Sequence, residues 1–255
     1  GPMTRSAADA GIVLQAIAGL DPNDPTTLPN PVPDMTASLG VGVKGLRIGF
    51  DERYASEDVE PELATAVTAS VKIMESLGAE IVPVTMPANL REYLAAWEPI
   101  CASEAAAAHA STYPSRSDEY GPWFREWLRR GASLSAAEYA DANVLRAACV
   151  GEFRVTMRGI DLLASPSTGA AAHPVTSGDM YGTIQQELDP WDFFRFTVPA
   201  DFSGLPTISL PCGLNGDGLP LSLQFVGHHL SEQLLVQAGH AFERATDFHN
   251  LHPPV

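Results

Sequence analysis

FTVPADFSGLPTISLPCGLNGDGLPLSLQFVG, residues 196–227, decides how the rest of the chain is read. Two apolar runs, Thr207-Ile208-Ser209-Leu210 and Leu221-Ser222-Leu223-Gln224-Phe225-Val226, are separated by Asn215-Gly216-Asp217-Gly218. The glycines of that turn take positive φ without a Cβ clash, and Asn and Asp tolerate the same region, so the pattern predicts a hairpin with a tight reversal. Pro211 and Pro220 are expected to mark the strand ends, because proline lacks the donor a sheet ladder needs. Both strands should therefore be short.

Beyond the hairpin, residues 231–246 carry Leu234, Leu235, Ala238 and Phe242 at helical spacing, with Ser231 placed to cap the helix. His228 and His229 precede that helix, and His249 and His252 follow it; adjacent histidines point apart on extended chain and read as solvated surface. Before the hairpin lies an aromatic cluster with Trp191, Phe193, Phe194 and Phe196, which reads first as core and second as pocket lining. A loop over 179–187 precedes it. Upstream again, Ile160-Asp161-Leu162-Leu163-Ala164-Ser165-Pro166 reads as a short buried strand. It runs into the polar, rigid end Ser165-Pro166-Ser167-Thr168-Gly169. Ligands of open sheets sit outside the carboxyl ends of strands. Ser165, Ser167 and Thr168, with Trp191 and Phe194, are accordingly the candidate substrate-binding residues.

The first part of the chain supplies the remaining layers. Residues 7–20 show an apolar helical stripe containing Ile12, Val13, Leu14, Ile17 and Leu20, with Ser6 as N-cap and Asp9 three positions on. Prolines 22, 25, 29, 31 and 33 keep the next connection extended. A strand at 46–50, a helix at 61–77 with Leu63, Val67, Val71 and Met74 on one face and Gly78 to end it, and a strand at 79–84 suggest a crossover unit. Helical patterns follow at 90–109, where Pro99 is expected to kink or break the helix, and at 122–130 and 135–157. Trp123 and Trp127, four apart, read as a packing pair. The fold class is α/β, a mixed β-sheet flanked by helices, with residues 1–255 expected to form a single domain.

Composition limits the function. The 255 residues include 31 acidic and 15 basic ones, a net charge of -16 that repels a phosphate backbone and argues against nucleic acid as a partner. Apolar runs stop short of membrane-spanning length, no secretory signal pattern opens the chain, and no membrane partner is expected. Cys101, Cys149 and Cys212 are odd in number and lack metal-site spacing, which fits buried thiols in a reducing, cytoplasmic setting. No metal site is expected.

Three stretches carry a resemblance. GPMTRSAADAGIVLQAIAGLDPNDPT, residues 1–26, resembles the segment that follows the catalytic core in amidase-signature hydrolases. The hairpin region together with LLVQAGHAFERATDFHNLHPP, residues 234–254, looks like the C-terminal end of that family, and DLLASPST at 161–168 resembles its DxLLTPT strand. The resemblance implies a hydrolase of amides and related acyl compounds, without a cofactor, that uses a Ser, cis-Ser, Lys triad and backbone amides for the oxyanion. In that family these groups lie in a glycine- and serine-rich segment ahead of GPMTRS. No Gly-Gly-Ser-Ser-Gly-Gly run occurs here, and the lysines are only Lys44 and Lys72, neither of which matches the catalytic one. No catalytic residue is therefore assigned. The chain is expected to be the C-terminal part of such an enzyme, inactive alone, acting on a small-molecule amide or ester once the other half is supplied. Half a sheet should also expose an edge and an apolar face, giving a homo-oligomer through the exposed sheet surface. Two alternatives are a stand-alone esterase or amidase using Ser165 or Ser167 near His173, and a non-catalytic oligomerising module.

Overall fold

The structure, a computed structural model, describes residues 1–173, 191 and 194–252. Five strands, β1 (Arg47–Phe50), β2 (Glu80–Pro83), β3 (Leu162–Pro166), β4 (Thr207–Leu214) and β5 (Pro220–Gly227), form one sheet in the order β2-β1-β3-β5-β4. β1 runs parallel to both β2 and β3, whereas β3–β5 and β5–β4 are antiparallel. The sheet is therefore mixed. Its helices are α1 (Ala7–Ile17), α2 (Pro61–Ser76), α3 (Leu90–Ala108), α4 (Pro122–Ser133), α5 (Ala136–Thr156), α6 (Val198–Ser203) and α7 (Glu232–Ala245). The loop expected at 179–187, Phe193, and the end of the chain at 253–255 lie outside the described residues.

Each face of the sheet has its own core. On one side Leu63, Val67, Val71 and Met74 of α2 pack with Ile48, Leu162, Leu223 and Phe225 of the sheet and with Leu235 and Phe242 of α7. On the other, Leu163 of β3 and Val226 of β5 meet Tyr93 and Ile100 of α3 and Cys149, Phe153 and Met157 around α5. Alternation along the strands divides the two sets. Gly78, at φ +95°, turns the chain out of α2 and into β2, as its position after the last apolar residue predicts.

Local rules hold at several ends. Ser6 Oγ accepts from Asp9 N at 3.1 Å, and Ser135 with Glu138 forms a reciprocal capping box at the start of α5. The hairpin closes as expected: Asn215 Oδ1 accepts from Asp217 N at 3.1 Å and Leu219 N at 2.8 Å, and Gly218 sits at φ +79°.

Pro211 and Ser231 depart from expectation, Pro99 does not break its helix, and the apolar stripe of α1 faces outward. Pro211 does not end its strand: β4 continues to Leu214, because β4 lies at the sheet edge and the register shifts between Pro211 and Gly213. A bulge on an edge strand removes the need for the missing donor. Pro99 lies inside α3, which continues to Ala108 without a break. Ser231 precedes α7 but makes no side-chain cap, its hydroxyl donating instead to His228 O at 2.7 Å. The apolar stripe of α1 is not its buried face. Ala7 and Gly11 are buried, while Ile12, Ile17 and Leu20 are 57%, 66% and 63% exposed. Gly11 explains this, since a Cβ there would stand 3.0 Å from Val236 Cγ1; small residues let α1 lie close on α7 and turn the branched ones outward.

Two measurable consequences arise from this packing. Glu243, 5% exposed on α7, accepts from Ala7 N through both carboxylate oxygens at 2.8 and 3.0 Å and so ties α1 down. Burial nevertheless raises its pKa, outweighing the lowering by the Ala7 amide. A raised folded pKa means stability is fullest below the ordinary glutamate value near 4.5 and falls as pH rises through the folded value. Glu243→Gln keeps an acceptor for Ala7 without the charge. Thermal melts should show the variant gaining on the parent from pH 4 to pH 8; a constant difference across that range would contradict the burial argument. The thiols give the second. Burial pushes Cys149 and Cys212 up to about 12 and Cys101 to about 11. Native protein at pH 8 should react only slowly with a thiol reagent, and all three should react after unfolding. A fast native reaction at Cys149 or Cys212 would show that those sites open.

Candidate functional site

The carboxyl end of β3 builds a polar row into an otherwise apolar sheet. Ser165 on β3 is paired with Gln224 on β5, and Gln224 with Ser209 on β4. Directly opposed residues project to the same face. Ser165, Gln224 and Ser209 therefore stand side by side, continuing the face that carries Leu163 and Val226. Ser165 and Gln224 are each 2% exposed. Gln224 Nε2 donates to Phe196 O at 2.9 Å and to Ser165 Oγ at 3.4 Å, while Ser165 Oγ donates to Pro166 O at 3.0 Å. Ser167, 8% exposed, places its Oγ 3.0 Å from Ser209 Oγ. Thr168 Oγ1 turns back to Ala170 O at 2.6 Å.

The turn beyond Thr168 is held from α2. Glu60 N donates to Gly169 O at 2.9 Å, and Ala171 N donates to Glu60 Oε2 at 2.9 Å. Glu60 precedes Pro61 yet makes no side-chain cap to its own helix, because the carboxylate is committed to this turn. That bond gives the serine end of β3 a fixed shape.

The aromatic candidates divide from the serines. Trp191 has the Arg91 guanidinium over its ring at 4.1 Å, and Phe194 stacks on Trp97 at 5.3 Å between centroids, so both dock against α3. Phe196 is buried, 3% exposed, and its carbonyl is the acceptor that fixes Gln224. Next to it, Arg195 is 2% exposed with its guanidinium 4.5 Å from the Phe196 ring and 5.0 Å from that of Trp191. Arg195 Nη2 donates to Glu57 O at 2.5 Å and Tyr54 Oη to Arg195 O at 2.5 Å. Burial holds the Tyr54 hydroxyl well above the ordinary phenol range, an effect the Arg195 charge reduces in part. The structure thus brings Ser165 and Ser167 together through Gln224 and Ser209, and sets Trp191 and Phe194 on the helical layer.

Gln224, Ser209, Glu60 and Arg195 escaped the sequence reading. Two had a signal: Gln224 and Ser209 occupy polar alternate positions in runs of Leu, Phe and Ile. Glu60 and Arg195 had none, since both act across more than 100 residues of sequence.

Chemically the row is a set of hydroxyls and a carboxamide, of which Ser165 and Gln224 are buried and bonded within the protein, while Ser209 at the edge strand is exposed. The described side-chain bonds of Ser165 and Ser167 involve Pro166, Gln224 and Ser209, not a base that would activate a nucleophile. Lys44 lies against Gly78 and Lys72 on α2, away from the row. Among the described residues no three His, Cys, Asp or Glu side chains converge to hold a metal ion, and no helix is long and apolar enough to cross a membrane.

Comparison with known proteins places this arrangement. The family model for amidases matches residues 1–236. The chain belongs to the amidase family. This amidase chain is 34% identical over 260 residues to an amidase of Pseudomonas putida, covering 99% of itself and 54% of that protein. It is 39% identical over 256 residues to the putative amidase AmiD of Mycobacterium tuberculosis, covering 100% of itself and 53% of the relative. One subunit of the glutamyl-tRNA(Gln) amidotransferase of Synechococcus is 34% identical over 273 residues, with 97% of this chain and 55% of that one covered. Among solved structures, a bacterial aryl acylamidase belonging to the amidase signature family superposes with a TM-score of 0.83 at 26% identity, over 98% of this chain and 53% of that one. The expected fold class, a mixed sheet flanked by helices in the amidase-signature fold, is the one observed. The chain spans about half the length of the relatives it matches.

Proposed function

We propose that this chain serves as the C-terminal portion of an amidase-type hydrolase of C–N bonds, supplying scaffold and one wall of the acyl pocket, and that it does not turn over substrate by itself. The observation that carries the reading is the Ser165, Ser167, Gln224 and Ser209 row at a strand end, in a chain whose sequence has no glycine- and serine-rich signature run. The substrate class is a small-molecule amide or ester, and Ser165, Ser167, Thr168, Trp191 and Phe194 are the proposed wall. The chain is taken as one domain over 1–255 in a cytoplasmic setting.

The test is an amide and aryl-ester hydrolysis assay on the purified chain, alone and after addition of the catalytic-core segment of an amidase relative. The expected result is no turnover alone and turnover once the segment is present, with Ser167→Ala then raising KM more than it lowers kcat. Steady hydrolysis by the chain alone, surviving removal of full-length enzyme, would sink the proposal. Its loss in a Ser165→Ala, Ser167→Ala double variant would then favour a self-sufficient serine site.

A further inference from the structure

The end of β3 opposite the serine row opens beside a small cavity of about 210 Å³ between the end of α5, the end of α6 and the turn after β5. Its floor is apolar, from Val150, Phe153, Met157 and Leu205, and its polar lining includes Arg154, Arg158, His228 and His229. Among the described residues no carboxylate lines it, in a chain with 31 acidic residues and only 15 basic ones. Elsewhere Arg47, Arg53, Arg116, Arg129 and Arg130 each have a carboxylate within 4.0 Å. Arg154 and Arg158, both exposed, have no such partner among the described residues, as is also true of Arg5, Arg91, Arg125, Arg146 and Arg244; what sets this pair apart is that both line one cavity.

We infer that this cavity is a binding site for an organic carboxylate: a small anion with an apolar or aromatic body. The arginines supply forked N–H donors that match a carboxylate. The imidazoles are placed as well. His228 Nε2 lies 2.8 Å from Ile160 O, and since a carbonyl only accepts, Nε2 carries the proton and the ring is held at the cavity wall. The His229 ring lies over Gly204, where a Cβ would come within 3.2 Å of its Cε1, so the backbone at the end of α6 leaves room for it. The carbonyl end of α5 contributes negative potential here, which the two arginines must overcome. The apolar floor then selects against a bare inorganic anion, whose hydration it cannot replace. The site is separate from the serine row and does not depend on amide hydrolysis.

Titration calorimetry on the full chain at low salt, with benzoate, benzamide and inorganic phosphate as the probes, tests this. Benzoate should bind, weaken as salt is raised, and bind more tightly than phosphate, while benzamide, its neutral counterpart, should bind at least about tenfold more weakly. Arg154→Gln with Arg158→Gln should weaken benzoate by about tenfold or more, and Arg125→Gln, outside the cavity, should leave it unchanged. Both cavity arginines are exposed, so the double variant should melt like the parent; if it does not, His229→Ala supplies the same test from the other wall. No benzoate binding, equal binding of benzamide, tighter binding of phosphate, or indifference to the cavity substitutions would each overturn the inference.

Discussion

Gly131→Ala should destabilise the protein by about 3 kcal/mol, among the largest effects of any single methyl added to this chain. A Cβ at Gly131 on α4 would stand 1.9 Å from the carbonyl oxygen and 2.4 Å from the carbonyl carbon of Ala102 on α3. Those are backbone atoms and cannot rotate aside. The two helices would have to separate, and their seam holds the Trp97–Trp127 contact at 6.0 Å, the Glu98–Arg130 pair at 3.1 Å and the fully buried Leu128. Alanine would return about 1 kcal/mol of helix propensity over glycine, which is too little to offset that separation. Urea unfolding of parent and variant measures the balance. A variant as stable as the parent would mean that α3 and α4 do not approach this closely.

Phe225→Ala should cost about 4 kcal/mol. Phe225 is fully buried on β5, paired with Ala164 of β3 on one side and Ile208 of β4 on the other. It belongs to the core that joins the sheet to α2 and α7. Removing the ring leaves a cavity between elements that a β-strand held from both sides cannot collapse to fill. Phe225→Leu should cost well under half as much, because most of the volume remains. If the two substitutions cost the same in a denaturant titration, the ring would not be packed as described. A loss of more than about 5 kcal/mol would point to collapse of the neighbouring Gln224 anchor as well.

Features set by neighbours along the chain are legible in the sequence, and features set by tertiary placement are not. Capping at Ser6, the Asn215 turn, and the α2 stripe were legible because each depends on residues a few positions apart. The α1 stripe misled because its periodicity marks an apolar face without saying whether anything covers it; Gly11, the smallest residue in the helix, marked the contact with α7. Pro211 misled because whether a proline is tolerated depends on the strand being at an edge, which the strand order decides. For the candidate site, Ser165, Ser167 and Thr168 were legible as a polar strand end. Their partners Gln224 and Ser209 required the register of β3 on β5 and of β5 on β4.

The sequence by itself determined the class of the fold, the hairpin at 207–227, the order of the strands and of every helix but α6, and the family through three stretches of residues. Those features rest on spacing along the chain, where the physics of helices and turns operates. Only the tertiary structure decided which polar residues share a face, that Glu60 and Phe196 brace the strand end, that Trp191 and Phe194 lie against α3, and that Arg154 and Arg158 meet the histidines before α7 at an apolar cavity. These depend on register and on helix placement between segments far apart in sequence. No local preference encodes them, because each is set by how the whole sheet and its two cores pack together.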